Sequence, residues 1–435
     1  MSSKNDITAR KEEAMPALVP KLRFPEFREA DAWEPTTIGA LGRFYYGKSA
    51  PKWSLAEDAP TPCVRYGELY TKFGPVITET YSRTNTAPET LRFSKGGEIL
   101  IPRVGEKPED FGKCCAYLPL KGIAIGEMIS VLETRQHPLF YTYYFRNLHR
   151  QFAKVVEGQN VKNLYFAELE PLPIHRPSLP EQQKIAECLS SVDELMAAQA
   201  RKVEALKTHK KGLMQQLFPC EGETQPRLRF PEFETAGEWE ETNLGDYFDP
   251  IRNGFVGTAT PYYTTSEGVR YLQGRNIKQG RIEANNLIFI TSDFHNRQRK
   301  SHLKTGDILM VQSGHVGECA VVGPDFAGAN CHALVILTPK RKLSSEFFAH
   351  YFYSPIGELA IFQITTGNTI KHILASELKT LPVLVPDLAE QQRIASCLSS
   401  LDALISAETQ HLEALKTHKK GLMQQLFPSP TEVEA

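Results

Sequence analysis

The sequence predicts an α+β protein: two globular mixed α/β domains separated by a long antiparallel two-helix coiled coil, pseudo-twofold and nearly circular. Three observations carry that expectation. Residues 181–219, EQQKIAECLSSVDELMAAQARKVEALKTHKKGLMQQLFP, return 209 positions later as residues 390–428, with 28 of 39 positions identical and the last 16 unbroken. In both copies the apolar residues keep the heptad spacing of a coiled-coil seam. A short string, KLRFPEF at 21–27 and RLRFPEF at 227–233, leads each half and is followed by Trp33 or Trp239.

Each element follows in order. Residues 1–20 lack an apolar run and read as a mobile N-terminal tail, not a secretory signal. The first globular domain takes 21–177, the first spacer helix 178–219, a linker 220–226, the second domain 227–386, the second helix 387–428 and a C-terminal tail 429–435. The seam of the first helix is Ile185, Leu189, Val192, Met196, Val203, Leu206, Leu213 and Leu217. That of the second is Ile394, Leu398, Leu401, Ile405, Leu412, Leu415, Leu422 and Leu426. Polar residues interrupt it at Gln199 and Lys210 and at Glu408 and Lys419, which lowers stability but fixes register. Ser178 with Glu181, and Asp387 with Glu390, have the N-cap and N3 spacing of a capping box, and Pro219 and Pro428 end the helices.

Connectivity then constrains geometry. A helix of about 39 residues runs roughly 58 Å, whereas a seven-residue linker reaches about 25 Å at most. The second domain must begin near the far end of the first helix, and a second helix that pairs with the first must run back. Its end arrives beside the first LRFPEF.

The two globular domains correspond in outline and differ in detail. KGGEILIPRVGE (95–106) matches KTGDILMVQSGH (304–315), and GQNVKNLYFAEL (158–169) matches GNTIKHILASEL (367–378). ILIPRV, GIAIGEMISVLE, VVGPDF and CHALVILTP read as strands, and residues 138–156 and 344–363 as helices whose aromatics belong to the core.

Composition excludes several classes. With 41% hydrophobic and 23% charged residues the chain is an ordinary globular one, and it has no apolar run long enough to span a membrane. Eight cysteines without a CxxC pair fit a reduced, cytoplasmic protein and neither a disulfide framework nor a zinc site. A net charge of −1 leaves nucleic-acid binding to local patches such as 292–304. Nucleotide loops, HExxH, GxSxG and the [DN]PP[YF] motif of amino-methyltransferases are all absent from the sequence. No catalytic residue and no metal ligand is assigned; the pattern is that of a binding protein, not an enzyme.

The doubled helices with LPEQQKIAECLSSVDELM and LAEQQRIASCLSSLDALI, the shared KKGLMQQLFP endings, and the matched GEIL/GDIL and GQNVKNL/GNTIKHI segments resemble the specificity subunit of type I restriction–modification systems. The resemblance covers nearly the whole chain. It implies a non-catalytic subunit in which two target-recognition domains each read half of a bipartite, non-palindromic target in double-stranded DNA. The helices would set the spacer and dock two modification (methylase) subunits, which carry S-adenosylmethionine. Restriction subunits, ATP-dependent translocases and nucleases using ATP and Mg, would join the full complex. No cofactor is expected on this chain itself.

Base edges and phosphates call for Arg, Lys, Asn, Gln or Ser on loops. The candidates in the first domain are Arg65, Arg83, Asn85, Arg103, Lys107 and Lys113; in the second, Arg275, Asn276, Arg297, Arg299, Ser313 and His315. Asn160 with Lys162, and Asn368 with Lys371, lie in matching segments and suit phosphate positioning. Lys207, Lys210 and Lys211, repeated as Lys416, Lys419 and Lys420, would face an acidic partner or passing DNA. The alternative is a duplicated coiled-coil scaffold that binds proteins alone.

Overall fold

The computed structural model describes residues 18–428 apart from 49, 266 and 368–370. The expected tails therefore lie, residues 18–20 excepted, outside the described residues. The chain forms two compact units that do not follow chain order: one holds the residues up to Gln199 together with those from His411 onward, the other Ala200–Gln410. Both long helices, Leu179–Leu217 and Leu388–Leu426, contribute to both units.

Unit one is built on a four-stranded antiparallel sheet ordered Gly42–Tyr46, Ile129–Thr134, Glu98–Pro102, Ala116–Leu118. Every residue of Glu98–Pro102 is buried, as its unbroken apolar run ILIP requires. The one acid in that strand is a staple: Glu98 accepts the backbone N–H groups of Lys95 (2.5 Å) and Gly96 (3.0 Å), closing a turn in which Gly96 and Gly97 have positive φ. A second sheet, Ser82–Thr84, Thr61–Val64, Lys121–Ile125, Phe93–Lys95, contains one parallel pair. The aromatic helix Pro138–Asn147 lies wholly against the core, with Phe140, Tyr141, Tyr143, Tyr144 and Phe145 all buried.

Unit two repeats the first sheet as Phe248–Asn253, Leu334–Pro339, Ile308–Val311, Cys319–Val321. Asp307 takes the role of Glu98, accepting the N–H of Lys304 at 2.9 Å. VVGPDF is a strand only up to Val321; its Pro324–Phe326 portion is a 3-10 turn because proline begins it.

The LRFPEF strings prove to be clamps on the long helices. In unit one Arg23 grips Glu181 with two parallel bonds (2.8 and 2.7 Å), and the Trp33 indole N–H donates to the same carboxylate at 3.2 Å. Unit two has Arg229 on Glu390 at 2.8 and 2.6 Å. The expected capping boxes are corrected by these bonds, since both N3 carboxylates turn to arginine instead of the N-cap backbone. Asp387 does cap its helix, accepting the Glu390 N–H at 2.9 Å. Each clamp also receives the end of a helix. Leu22 N–H donates to the Gln425 carbonyl in unit one, and Leu228 N–H to that of Gln216 in unit two, both at 2.9 Å. Phe427 then packs against Trp33 and Phe140, and Phe218 against Trp239 and Phe347.

Of the sixteen seam residues, Ile185, Leu189, Val203, Leu217, Ile394, Leu398 and Leu426 are buried and the other nine half-buried. The seam is not uniform: Ile185, Leu189 and Leu426 belong to the core of unit one, and Leu217, Ile394 and Leu398 to that of unit two. The interrupting polar residues make specific pairs. Lys419 binds Asp193 at 2.5 Å in unit one, and Lys210 binds Asp402 at 2.7 Å in unit two. Lys202 meets Glu408 at 2.6 Å; since position rises on one helix as it falls on the other, the pairing within unit two is antiparallel.

At the junction of domain and helix, Tyr143 donates to Asp193 at 2.7 Å in unit one. His350 holds the matching place in unit two, with Ser399 at 3.2 Å. Burial, aided by the Lys210 charge and opposed by Asp402, pushes His350 down to about 4. The unfolded chain, with a histidine near its ordinary 6.5, binds more protons between those values, so stability is complete above pH 6.5 and falls as pH drops toward 4. The loss should be on the order of 3 kcal/mol. Urea unfolding between pH 7 and 4 should show it, and His350→Tyr should flatten the slope by copying Tyr143.

Candidate nucleic-acid interface

The buried strand Glu98–Pro102 ends at Arg103, and the backbone holds that residue tightly. Its N–H donates to the Met128 carbonyl (2.9 Å) and its own carbonyl accepts the Leu164 N–H (2.8 Å). The guanidinium carbon lies 4.6 Å from the Tyr46 ring centre and 5.4 Å from that of Tyr165. Beyond it Val104–Gly105 pairs antiparallel with Lys162–Asn163. A side chain at Gly105 would collide with the Tyr70 hydroxyl, 2.6 Å from where its Cβ would stand. The two motifs that recur in the sequence, GEIL and GQNVKNL, thus meet at one place: Lys162, its Nζ donating to the Gly158 carbonyl at 2.6 Å, pairs with Gly105 two residues beyond Arg103, and Asn160 is exposed.

Unit two builds the same place with other residues. Ile308–Val311 ends at Gln312, whose carbonyl accepts the Ile373 N–H at 3.0 Å; Ser313 bridges to His372, and Gly314 N–H donates to the Lys371 carbonyl at 3.3 Å. His315 and Lys371 line a cavity of about 410 Å³ with Glu318, Tyr353, Glu358 and Phe362. Asn368 lies outside the described residues.

The remaining candidates are dispersed. Arg65 precedes the helix Tyr66–Thr71, its N–H bound to Glu68 at 2.8 Å. Arg83 donates to the Ala59 and Pro60 carbonyls, with Asn85 exposed next to it. Lys107 is exposed, as is Lys113, which lies 3.8 Å from Asp110. Arg275 reaches the Asn286 carbonyl at 3.2 Å; Arg297 pairs with Asp293 at 2.9 Å and stacks on Tyr262, and Arg299 is exposed. Asn276 is a correction. It is 1% exposed, its Oδ1 accepting the Gln273 N–H and its Nδ2 donating to the Glu283 carbonyl, so it holds a turn and presents nothing to DNA. Lys210 and Lys419 are likewise spent on Asp402 and Asp193 and are not open to a partner. Lys207 and Lys416 each meet a glutamate one turn back on their own helix, while Lys211 and Lys420 stay exposed.

Sequence reasoning missed Tyr45, Tyr46, Arg92 and Gln312. Tyr45 lies between Arg43 (5.6 Å) and Arg92 (5.0 Å), and burial first, then Glu98, pushes its hydroxyl up to about 12. For Gln312 the signal was present, because it aligns with Arg103 in the motif pair.

A duplicated frame that ends twice in a polar, solvent-reaching loop defines a two-headed recognition protein. The model of the type I restriction modification DNA specificity domain matches residues 32–208 and again 236–417, and the chain belongs to that family. It is 24% identical over 433 residues, 95% of each chain, to the type I restriction enzyme MjaVIII specificity subunit of Methanocaldococcus jannaschii. The crystal structure of the S subunit of the type I system of M. genitalium shares its fold at a TM-score of 0.62 and 16% identity, covering 94% of this chain and 99% of that one. A second chain, from work on assembly and conformational transition of the type I R-M system, matches at 0.53 and 18% over 91% of this chain and 97% of its own. No helix among the described residues is long and apolar enough to cross a membrane.

Replacing Asn276 with alanine should cost about 1–3 kcal/mol, since it strands a backbone donor and an acceptor. Urea titration should show that loss, with the salt dependence of DNA binding unchanged.

Proposed function

We infer that this chain is the non-catalytic DNA-specificity subunit of a type I restriction–modification complex. Each unit reads one half of a bipartite, non-palindromic target in double-stranded DNA. The observation that carries the reading is one buried frame, present twice, ending in unlike polar residues: Arg103 and Lys162 in the first unit, Gln312 and Lys371 in the second. Half-sites at a set interval need a stiff connection, the role this reading gives to the two long helices, each of which contributes to both units. Chemistry falls to partners in the cytoplasm: two modification subunits carrying S-adenosylmethionine, and restriction subunits using ATP and Mg.

Two copies of one partner need two copies of one surface. Leu195 (50% exposed) and Leu404 (41% exposed) stand 209 positions apart, at matching places on the outer faces of the helices. What supports this surface is the repetition, a leucine exposed at the same place in both copies. Leu195→Asp and Leu404→Asp should each remove one of two co-purifying methylase subunits, read by native mass spectrometry; full occupancy in both variants would reject this surface.

Four residues inserted in the EALKTHKK part of one helix add about 6 Å, close to two base pairs at roughly 3.4 Å each. Methylation protection should report a target whose unread spacer grows by about that amount. An unchanged spacer would defeat the ruler, and salt-independent binding would favour a protein scaffold.

A further inference from the structure

Arg103 and Gln312 occupy one position in two frames. Each follows the buried strand stapled by Glu98 or Asp307 at its start. Each gives its carbonyl to a matching apolar residue, Leu164 or Ile373. Each is followed by a residue that bridges to the second motif, Val104 to Asn163 and Ser313 to His372.

The Arg103 guanidinium has no carboxylate partner among the described residues, and its Nε is buried without a hydrogen bond, a cost of about 1–3 kcal/mol that folding does not recover. Two tyrosine rings flank it instead and limit its motion. Gln312 is half-buried and its amide likewise has no partner among the described residues. In unit two the rings have gone: by strand register Asn253 stands where Tyr46 does, and Leu374 follows Ile373 as Tyr165 follows Leu164. Aromatic faces attract a guanidinium and offer a neutral amide no comparable attraction. The surroundings have changed with the residue they hold.

A rigid fork of donors matches the O6 and N7 acceptors of guanine, and a carboxamide matches N6 and N7 of adenine. We propose that Arg103 and Gln312 are the matched base readers of the two units, Arg103 taking a guanine in one half-site and Gln312 an adenine at the corresponding place in the other. This rests on the two-headed DNA-reading function above and names the residues that carry it.

Selection of a randomised duplex DNA library by the full-length chain tests both levels. Wild type should return a bipartite motif with guanine fixed in one half and adenine fixed in the other; no bipartite motif would overturn the parent reading and this one with it. Arg103→Gln should convert one G·C pair to A·T in one half only, and Gln312→Arg should convert one A·T pair to G·C in the other half. Arg103→Lys, which keeps the charge and loses the fork, should reduce discrimination at that single position by about fivefold to a hundredfold. If the wild-type bipartite motif persists in Gln312→Arg or in a folded Arg103→Gln, or if either weakens all sequences equally, the assignment is wrong while the two-headed reading stands. Should Arg103→Gln fail to fold, Gln312→Arg and Gln312→Ala decide, because no side chain of the described fold depends on that amide.

Discussion

A lysine bound to an aspartate between the two helices, once in each unit, is the interaction on which the remaining geometry depends. Lys419 with Asp193 and Lys210 with Asp402 are the same pair seen twice, since each residue of one pair lies 209 positions from its counterpart in the other. An all-apolar seam can slide by a heptad at small cost; a half-buried ion pair cannot, because slipping strands both charges. Burial already holds the Lys419 ammonium below the ordinary lysine range despite its partner, a sign of how little water reaches it. The pair gives up stability relative to leucine and gains a single register.

The arginine clamps act on a different level. Arg23 and Glu181 are both nearly inaccessible, and removing one partner of such a pair costs about 3–5 kcal/mol. Trp33 closes over the same carboxylate, and Phe427 closes over Trp33. Each unit therefore completes its core with the end of a helix that began in the chain segment of the other. The core of unit one needs two separate stretches of chain, whereas that of unit two lies within the single stretch Ala200–Gln410.

Much of this was legible in the sequence, and the reasons differ by element. Heptad spacing exposed the helices and their polar interruptions because period and burial are linked locally. The capping-box reading failed because Glu181 chooses a partner 158 positions away, a choice that local spacing cannot reveal; the signal lay in the arginine of LRFPEF, repeated with its glutamate. Asn276 was misjudged for a similar reason. An asparagine in a turn reads alike whether it faces water or staples its own backbone, and here it does the latter. Arg103 was visible as a basic residue after a strand, but the rings of Tyr46 and Tyr165 come to it from separate elements.

Divergence between the units is distributed as packing dictates. Along the buried strand the exchanges are apolar, Ile101 for Met310 and Pro102 for Val311, because a close-packed core feels each methylene. At the Glu98/Asp307 staple an acid remains, accepting the Lys95 and Gly96 N–H groups in unit one and that of Lys304 in unit two. One step beyond the strand those constraints end: Arg103 becomes Gln312, Val104 becomes Ser313 and Glu106 becomes His315 within four positions. Change is thus free where a side chain leaves the core and forbidden where it holds the turn that aims it. The same frame can then carry a different polar side chain at its end without refolding.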